Sequence, residues 1–222
     1  MLEVKNISKK YGKRTILEDI SFTINPGERV AIVGRNGCGK TTLMQIMSGS
    51  MKPNSGNLTY FGQDPLKKHS LFKKFCGYVP QNSPLLPELT VKDNIKLWGV
   101  DKCKNYEYIL DRFELRDIMD LEVRKMSGGM NKRLSIACAI ATWPPILLLD
   151  EPTTALDLYY KENIQKWLSE FNNLNGIVFI SSHEEAEIVA CDRCLFLKNG
   201  RLTEIPHDEN MMKTVREMLD NQ

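Results

Sequence analysis

Gly34-Arg35-Asn36-Gly37-Cys38-Gly39-Lys40-Thr41, GRNGCGKT, follows a short apolar run, Arg29–Val33, and precedes a stretch with Leu43, Ile46 and Met47 at helical spacing. The run reads as a buried strand, and the stretch as a helix over Lys40–Met47 that Gly49 stops. The eight residues fit G-x-x-x-x-G-K-[ST] in full, in the strand–loop–helix setting this motif requires. Glycines let the backbone take positive φ and come close to an anion. Successive N–H groups then form a concave anion site, reinforced by the helix dipole. Gly34, Arg35, Asn36, Gly37, Cys38 and Gly39 are therefore expected to wrap a polyphosphate, with Lys40 between its β- and γ-phosphates. Thr41 would hold Mg²⁺ through its hydroxyl, and Thr42 would donate to the α-phosphate.

A second apolar run, Ile146–Leu149, ends at Asp150-Glu151. Ligands of open α/β sheets gather at the carboxyl ends of strands. Asp150 is thus expected to reach the same Mg²⁺ through water, and Glu151 to orient or deprotonate an attacking water.

Further strands are expected at Leu2–Ser8, Ile16–Ile24, Gly56–Gly62 and Ile177–Ile180, and a hairpin at Leu195–Leu197 and Arg201–Thr203 around Asn199-Gly200. From about Thr90 to Ala141 the pattern turns helical, with Ile109, Leu110, Phe113 and Leu115 as an apolar stripe of core type. Helices are also expected near Leu158–Leu174 and Asn210–Leu219. Buried strands alternating with helices imply a largely parallel sheet covered on both faces, with an antiparallel patch formed by the early strands.

The 222 residues carry a net charge of +2, which gives no support for a nucleic-acid footprint. No apolar run approaches the ~20 residues a membrane helix needs. The start, MLEVKNISKKYG, lacks the apolar block of a leader, so a cytoplasmic chain with reduced thiols is expected. Cys191-Asp-Arg-Cys194 has the spacing of half a metal site with no second pair, and reads as two small buried hydrophobes. Cys38, beside a helix start and Lys40, is expected to be a stabilised thiolate whose alkylation ATP would prevent, or else an inert loop residue.

Lys125-Met126-Ser127-Gly128-Gly129-Met130-Asn131-Lys132-Arg133 reads as a second helix start whose N–H groups suit an anion. In order along the chain stand the phosphate loop, a Gln after a strand at Tyr78-Val79-Pro80-Gln81, Ser127-Gly128-Gly129, ILLLDE, Pro152-Thr-Thr-Ala155-Leu156-Asp157 and Ser181-Ser182-His183. From Leu2 to Thr203 this ordered set resembles the nucleotide-binding subunit of an ABC transporter.

The resemblance implies an α/β P-loop NTPase core with a mainly parallel sheet, an N-terminal antiparallel β subdomain and an inserted helical subdomain at about 84–141, all in one domain over 1–222. It implies that Tyr11 stacks on adenine, that Gln81 touches Mg²⁺ or the water, and that His183 contacts the γ-phosphate. It also implies a head-to-tail homodimer, or a pair with a related ATPase subunit, clasping two ATP molecules. Ser127, Gly128 and Gly129 of one chain would then meet the γ-phosphate held by the other, and Asp157 would lie at the interface and help place Glu151. Met130 departs from the family's usual Gln, which removes one polar contact. Integral membrane permeases would be the partners, on the cytoplasmic face, and the short tail after Thr203 suggests a bacterial exporter's ATPase. The competing expectation is a soluble ABC ATPase of DNA repair, translation or cluster assembly.

Overall fold

The computed structural model describes residues 1–154 and 156–220; Ala155, quoted above for the resemblance, lies outside them. In chain order, β1 (Leu2–Tyr11), β2 (Arg14–Ile24), β3 (Arg29–Val33), α1 (Lys40–Met47), β4 (Ser55–Tyr60), α2 (Ser70–Phe75) and β5 (Cys76–Val79) come first. Then come α3 (Val91–Trp98), α4 (Tyr106–Arg112), α5 (Gly128–Ala139), β6 (Ile146–Asp150), α6 (Leu158–Asn173) and β7 (Ile177–Ser181). The chain ends with α7 (Glu185–Val189), β8 (Arg193–Lys198), β9 (Arg201–Ile205) and α8 (Met211–Asp220).

Six strands form one sheet in the order β5-β6-β7-β3-β8-β9, parallel except for the β8–β9 hairpin. Every residue of β3, β6 and β7 is buried, which is why these strands read as unbroken apolar runs. Their side chains still alternate. Ile32, Leu148 and Phe179 face one core with α1 and the antiparallel layer β2-β1-β4. Val33, Leu149 and Ile180 face the other, which Leu134, Trp167 and Val215 close from α5, α6 and α8. Phe22 of β2 stacks on Phe179 of β7 at 5.4 Å and so ties the antiparallel layer to the main sheet.

The stretch from Thr90 to Ala141 is helical but interrupted. It holds α3, α4 and α5, with single tighter turns at Val100–Lys102, Arg116–Ile118 and Val123–Lys125. Gly99, at φ 74°, ends α3, and Glu114, at φ 50°, turns the chain after α4. Ile109, Leu110, Phe113 and Leu115 are all buried, as the stripe predicts. β1 runs on to Tyr11, past the expected end at Ser8, β5 covers Cys76–Val79 where a strand was expected at Tyr78-Val79-Pro80-Gln81, and α2 and α7 add to the expected elements.

The parallel pairing sets the site. Asp150 lies opposite Ser181, and Ile32 lies opposite Ser181 from the other neighbour. The loops leaving β3, β6 and β7 therefore open on one edge of the sheet.

Candidate functional site

The loop Gly34–Gly39 closes around a cavity of about 560 Å³. Gly34 is at φ 152°, where an added Cβ would lie 2.4 Å from the Leu197 carbonyl oxygen and 2.8 Å from Cys38 Sγ. Gly39 is at φ 117° and forms the N-cap of α1. Both positions thus require glycine, for conformation and for space. Lys40, 6 % exposed, points its ammonium back at the loop and donates to the Gly34 carbonyl at 2.6 Å and the Arg35 carbonyl at 3.3 Å. A buried cation that donates to two neutral carbonyls at the mouth of an anion-binding loop fits a phosphate. Thr41 Oγ1 donates to Asp150 Oδ2 at 2.7 Å, and Ser181 Oγ donates to Asp150 Oδ1. A hydroxyl beside a buried carboxylate is the hard-oxygen set that Mg²⁺ takes.

Glu151 follows Asp150 with φ 50° and a carboxylate only 15 % exposed. Three side chains surround it. Gln81 Nε2 donates to Oε2 at 3.0 Å, His183 Nε2 lies 3.4 Å from Oε1, and Thr154 Oγ1 reaches Oε2 at 3.5 Å. The Glu151 amide donates to the carbonyl and to the hydroxyl of Ser181, at 3.1 Å each. Glu151, Gln81, Lys40, Thr41, Thr42 and Tyr11 all line the same cavity. Tyr11 is half exposed, and its hydroxyl meets Met51 Sδ at 3.0 Å.

Ser127, Gly128 and Asp157 do not line that cavity. Ser127 caps α5, accepting from the Met130 amide at 3.2 Å, while its own O–H remains a donor. With Gln81, Lys132 and Thr154, Ser127 and Gly128 line a second, neighbouring cavity of about 290 Å³. Asp157 caps α6 by accepting from the Tyr160 amide at 3.0 Å, and it is Thr154 that reaches Glu151 within this chain.

One expectation needs correction. Burial pushes the Cys38 thiol up from its ordinary value, and this outweighs the opposing pull of Lys40. The loop shields its sulfur more than the helix start activates it. Cys191 and Cys194 are buried in the core, and burial raises each thiol to about 12.

Several lining residues went unread in the sequence. Arg14 and Ile16 line the loop cavity, because the β1–β2 hairpin pairs Tyr11 with Arg14. Lys132 Nζ lies 3.5 Å from the Gln81 carbonyl, and burial lowers its ammonium against the pull of Asp150 and Glu151. Ser181 braces both acids. The signal for it was its place at the end of a buried run level with Asp150.

The family model described as ABC transporter matches residues 17–154. The spermidine/putrescine import ATP-binding protein PotA of Spiroplasma citri is 36% identical over 214 residues, covering 92% of this chain and 61% of its own length. The Nod factor export ATP-binding protein I of Sinorhizobium fredii is 34% identical over 209 residues, covering 90% of this chain and 61% of its own. The chain thus spans about three fifths of the length of both relatives, and one is named for import, the other for export. Among solved structures, a dimeric ATP-binding cassette in a post-hydrolysis state, bound to ADP and Pi, superposes with TM-score 0.82 at 28% identity. It covers 92% of this chain and 98% of that one. A phosphate loop facing Asp150, Glu151 and His183 across one sheet edge, together with these matches, shows that the chain belongs to the ABC transporter family.

Proposed function

We propose that this chain binds and hydrolyses ATP as the motor subunit of a membrane transporter, working as a dimer with two nucleotides held between the copies. The observation that carries the reading is the placement of Glu151, ringed by Gln81, His183 and Thr154, at the wall of the cavity that Lys40 and Thr41 also line.

The reaction is ATP + H₂O → ADP + phosphate. Its transition state is loose, so positioning and charge neutralisation do most of the catalysis. The loop amides from Gly34 to Gly39 bind phosphate oxygens, Lys40 exchanges its loop carbonyls for the β- and γ-phosphates, Thr42 donates to the α-phosphate, and Tyr11 stacks on the base. Thr41, Asp150 and Gln81 are the residues to hold Mg²⁺, which when bound offsets charge on the phosphates. Glu151 accepts the proton of the attacking water, while Gln81 and His183 orient both.

Ser127, Gly128 and Gly129 serve the ATP of a second copy. Gly128 and Gly129 lie inside α5, where glycine costs up to about 1 kcal/mol relative to alanine. We read their missing side chains as room for the close approach of the second copy's nucleotide. Asp157, at the start of α6, faces the same interface.

No helix among the described residues is long and apolar enough to cross a membrane. The likeness to ATP-binding proteins named for import and export supports a membrane-spanning partner. A groove of about 650 Å³, lined by Tyr78, Pro80, Pro84, Leu97 and Trp98, supports docking of a permease at the segment from Pro84 onward, with Gln81 close by. The chain would then sit on the cytoplasmic face, with the cargo set by the permease.

The test is Glu151→Gln. Turnover should fall about 10²- to 10⁴-fold, while ATP binding persists and light scattering shows a stable dimer only with ATP. Wild-type turnover, or a monomer at saturating ATP, would overturn the reading.

A further inference from the structure

Two helices carry the residues read above as facing a second copy, α5 behind Ser127 and α6 behind Asp157. They are cross-braced behind their first turns. Arg133 on α5 is 7 % exposed, and its guanidinium carbon sits 4.1 Å from the centre of the Tyr160 ring on α6. Tyr160 also supplies the amide that Asp157 caps, so the ring under Arg133 belongs to the residue that anchors Asp157. Glu114 closes the triangle. Its Oε2 accepts from Arg133 Nη1 at 2.8 Å and from the Tyr160 hydroxyl at 2.7 Å. Arg133 Nη1 donates as well to the Phe113 carbonyl at 3.0 Å, and the Phe113 ring meets Trp167 of α6 edge-on at 5.6 Å.

A desolvated guanidinium over an aromatic face, tied to a carboxylate, is a strong and directional contact. The hydrogen bond to the Glu114 carboxylate holds the Tyr160 phenol above its usual value. One residue before Arg133 on α5, Lys132 Nζ lies 3.5 Å from the Gln81 carbonyl.

We propose that Arg133, Tyr160 and Glu114 are positioning residues that make the first turns of α5 and α6 move as one body, so that contact at Ser127 is transmitted to Asp157 of the same chain. The consequence for function rests on the dimer reading. The brace itself is a property of a single chain and can be tested in one.

The experiment is site-resolved hydrogen exchange on the nucleotide-free chain, wild type against Tyr160→Leu and the isosteric Glu114→Gln. Exchange at the Met130 and Tyr160 amides should rise together, tenfold or more, while Leu148 in β6 keeps its wild-type rate. Tyr160→Phe keeps the ring on Arg133 and should restore most of the protection. In turnover assays, both disruptive variants should lose kcat severalfold with ATP affinity of the isolated chain unchanged. Wild-type exchange at Met130 in the two disruptive variants would overturn the brace, as would acceleration spread evenly through β6 or a loss confined to ATP affinity. If Tyr160→Leu does not fold, Glu114→Gln carries the same comparison. A failure of Glu151→Gln to dimerise with ATP would count against the dimer reading alone, and the exchange result would still judge the brace.

Discussion

The helix starts at α1 and α5 are built on opposite terms. At α1 the glycines serve the backbone. Gly34 and Gly39 stand at φ 152° and 117°, and Gly34 has a carbonyl and a sulfur where a Cβ would be. At α5 the glycines sit in ordinary helix, and Ser127 provides the cap that α1 lacks among its side chains. The first start has a buried lysine, a carboxylate and an enclosing loop of its own. The second has a cavity about half the volume, with Lys132 and Gln81 for neighbours. One is a whole site for a charged ligand. The other, on the proposed reading, meets a ligand that a second copy holds.

The widest split should appear in nucleotide binding. Lys40→Ala should weaken ATP binding by the chain at least tenfold, the scale of a lost charge-assisted bond of about 1.5–3 kcal/mol. Ser127→Trp should leave that affinity within about twofold and still abolish steady-state turnover. Equal losses of affinity, measured with a fluorescent ATP analogue, would break the contrast.

Stability should separate the two starts by sign. Gly34→Ala forces a side chain into a strained conformation against the Leu197 carbonyl and should cost about 2–4 kcal/mol. Gly129→Ala should be neutral or stabilise α5 by up to about 1 kcal/mol, yet lower turnover. Thermal unfolding beside an activity assay reads both. A destabilising Gly129→Ala would show that the helix itself needs the glycine.

A smaller effect sharpens the same contrast. Burial raises the Cys38 thiol, so its thiolate is scarce at neutral pH and grows as pH climbs. Its alkylation rate should therefore still be rising through pH 9, about tenfold per unit. ATP should protect it equally in wild type and Ser127→Trp, because the loop binds without the second start. A rate that levels off below pH 8 would restore the activated thiolate that the sequence suggested.

How far the sequence could be read follows from what kind of signal each part leaves. GRNGCGKT and ILLLDE sit at strand ends, so fold and chemistry were written together there. The helical stripe through Ile109 and Phe113 was equally plain. The edge strand β5 was legible at Tyr78-Val79 but not at its start, where Gly77 replaces an apolar residue because a Cβ would lie 2.5 Å from the Ala139 carbonyl oxygen. The contacts of Glu151 with Gln81 and His183 span strands far apart in the chain, and their roles were legible only through the resemblance. Arg14 and Lys132 had no motif to mark them, and Ser181 was marked only as a member of Ser181-Ser182-His183, with no role of its own. Their positions follow from hairpin register, helix orientation and strand pairing, which exist only once the chain is folded.

Glu151 adopts φ 50°, a conformation that suits glycine better than a carboxylate-bearing residue. If Glu151 activates water as proposed, this residue sets robustness against turnover at one position. Replacing it with glycine should relax the backbone and harden the fold while silencing the chemistry, so screening this chain for heat resistance alone would tend to select inactive enzymes.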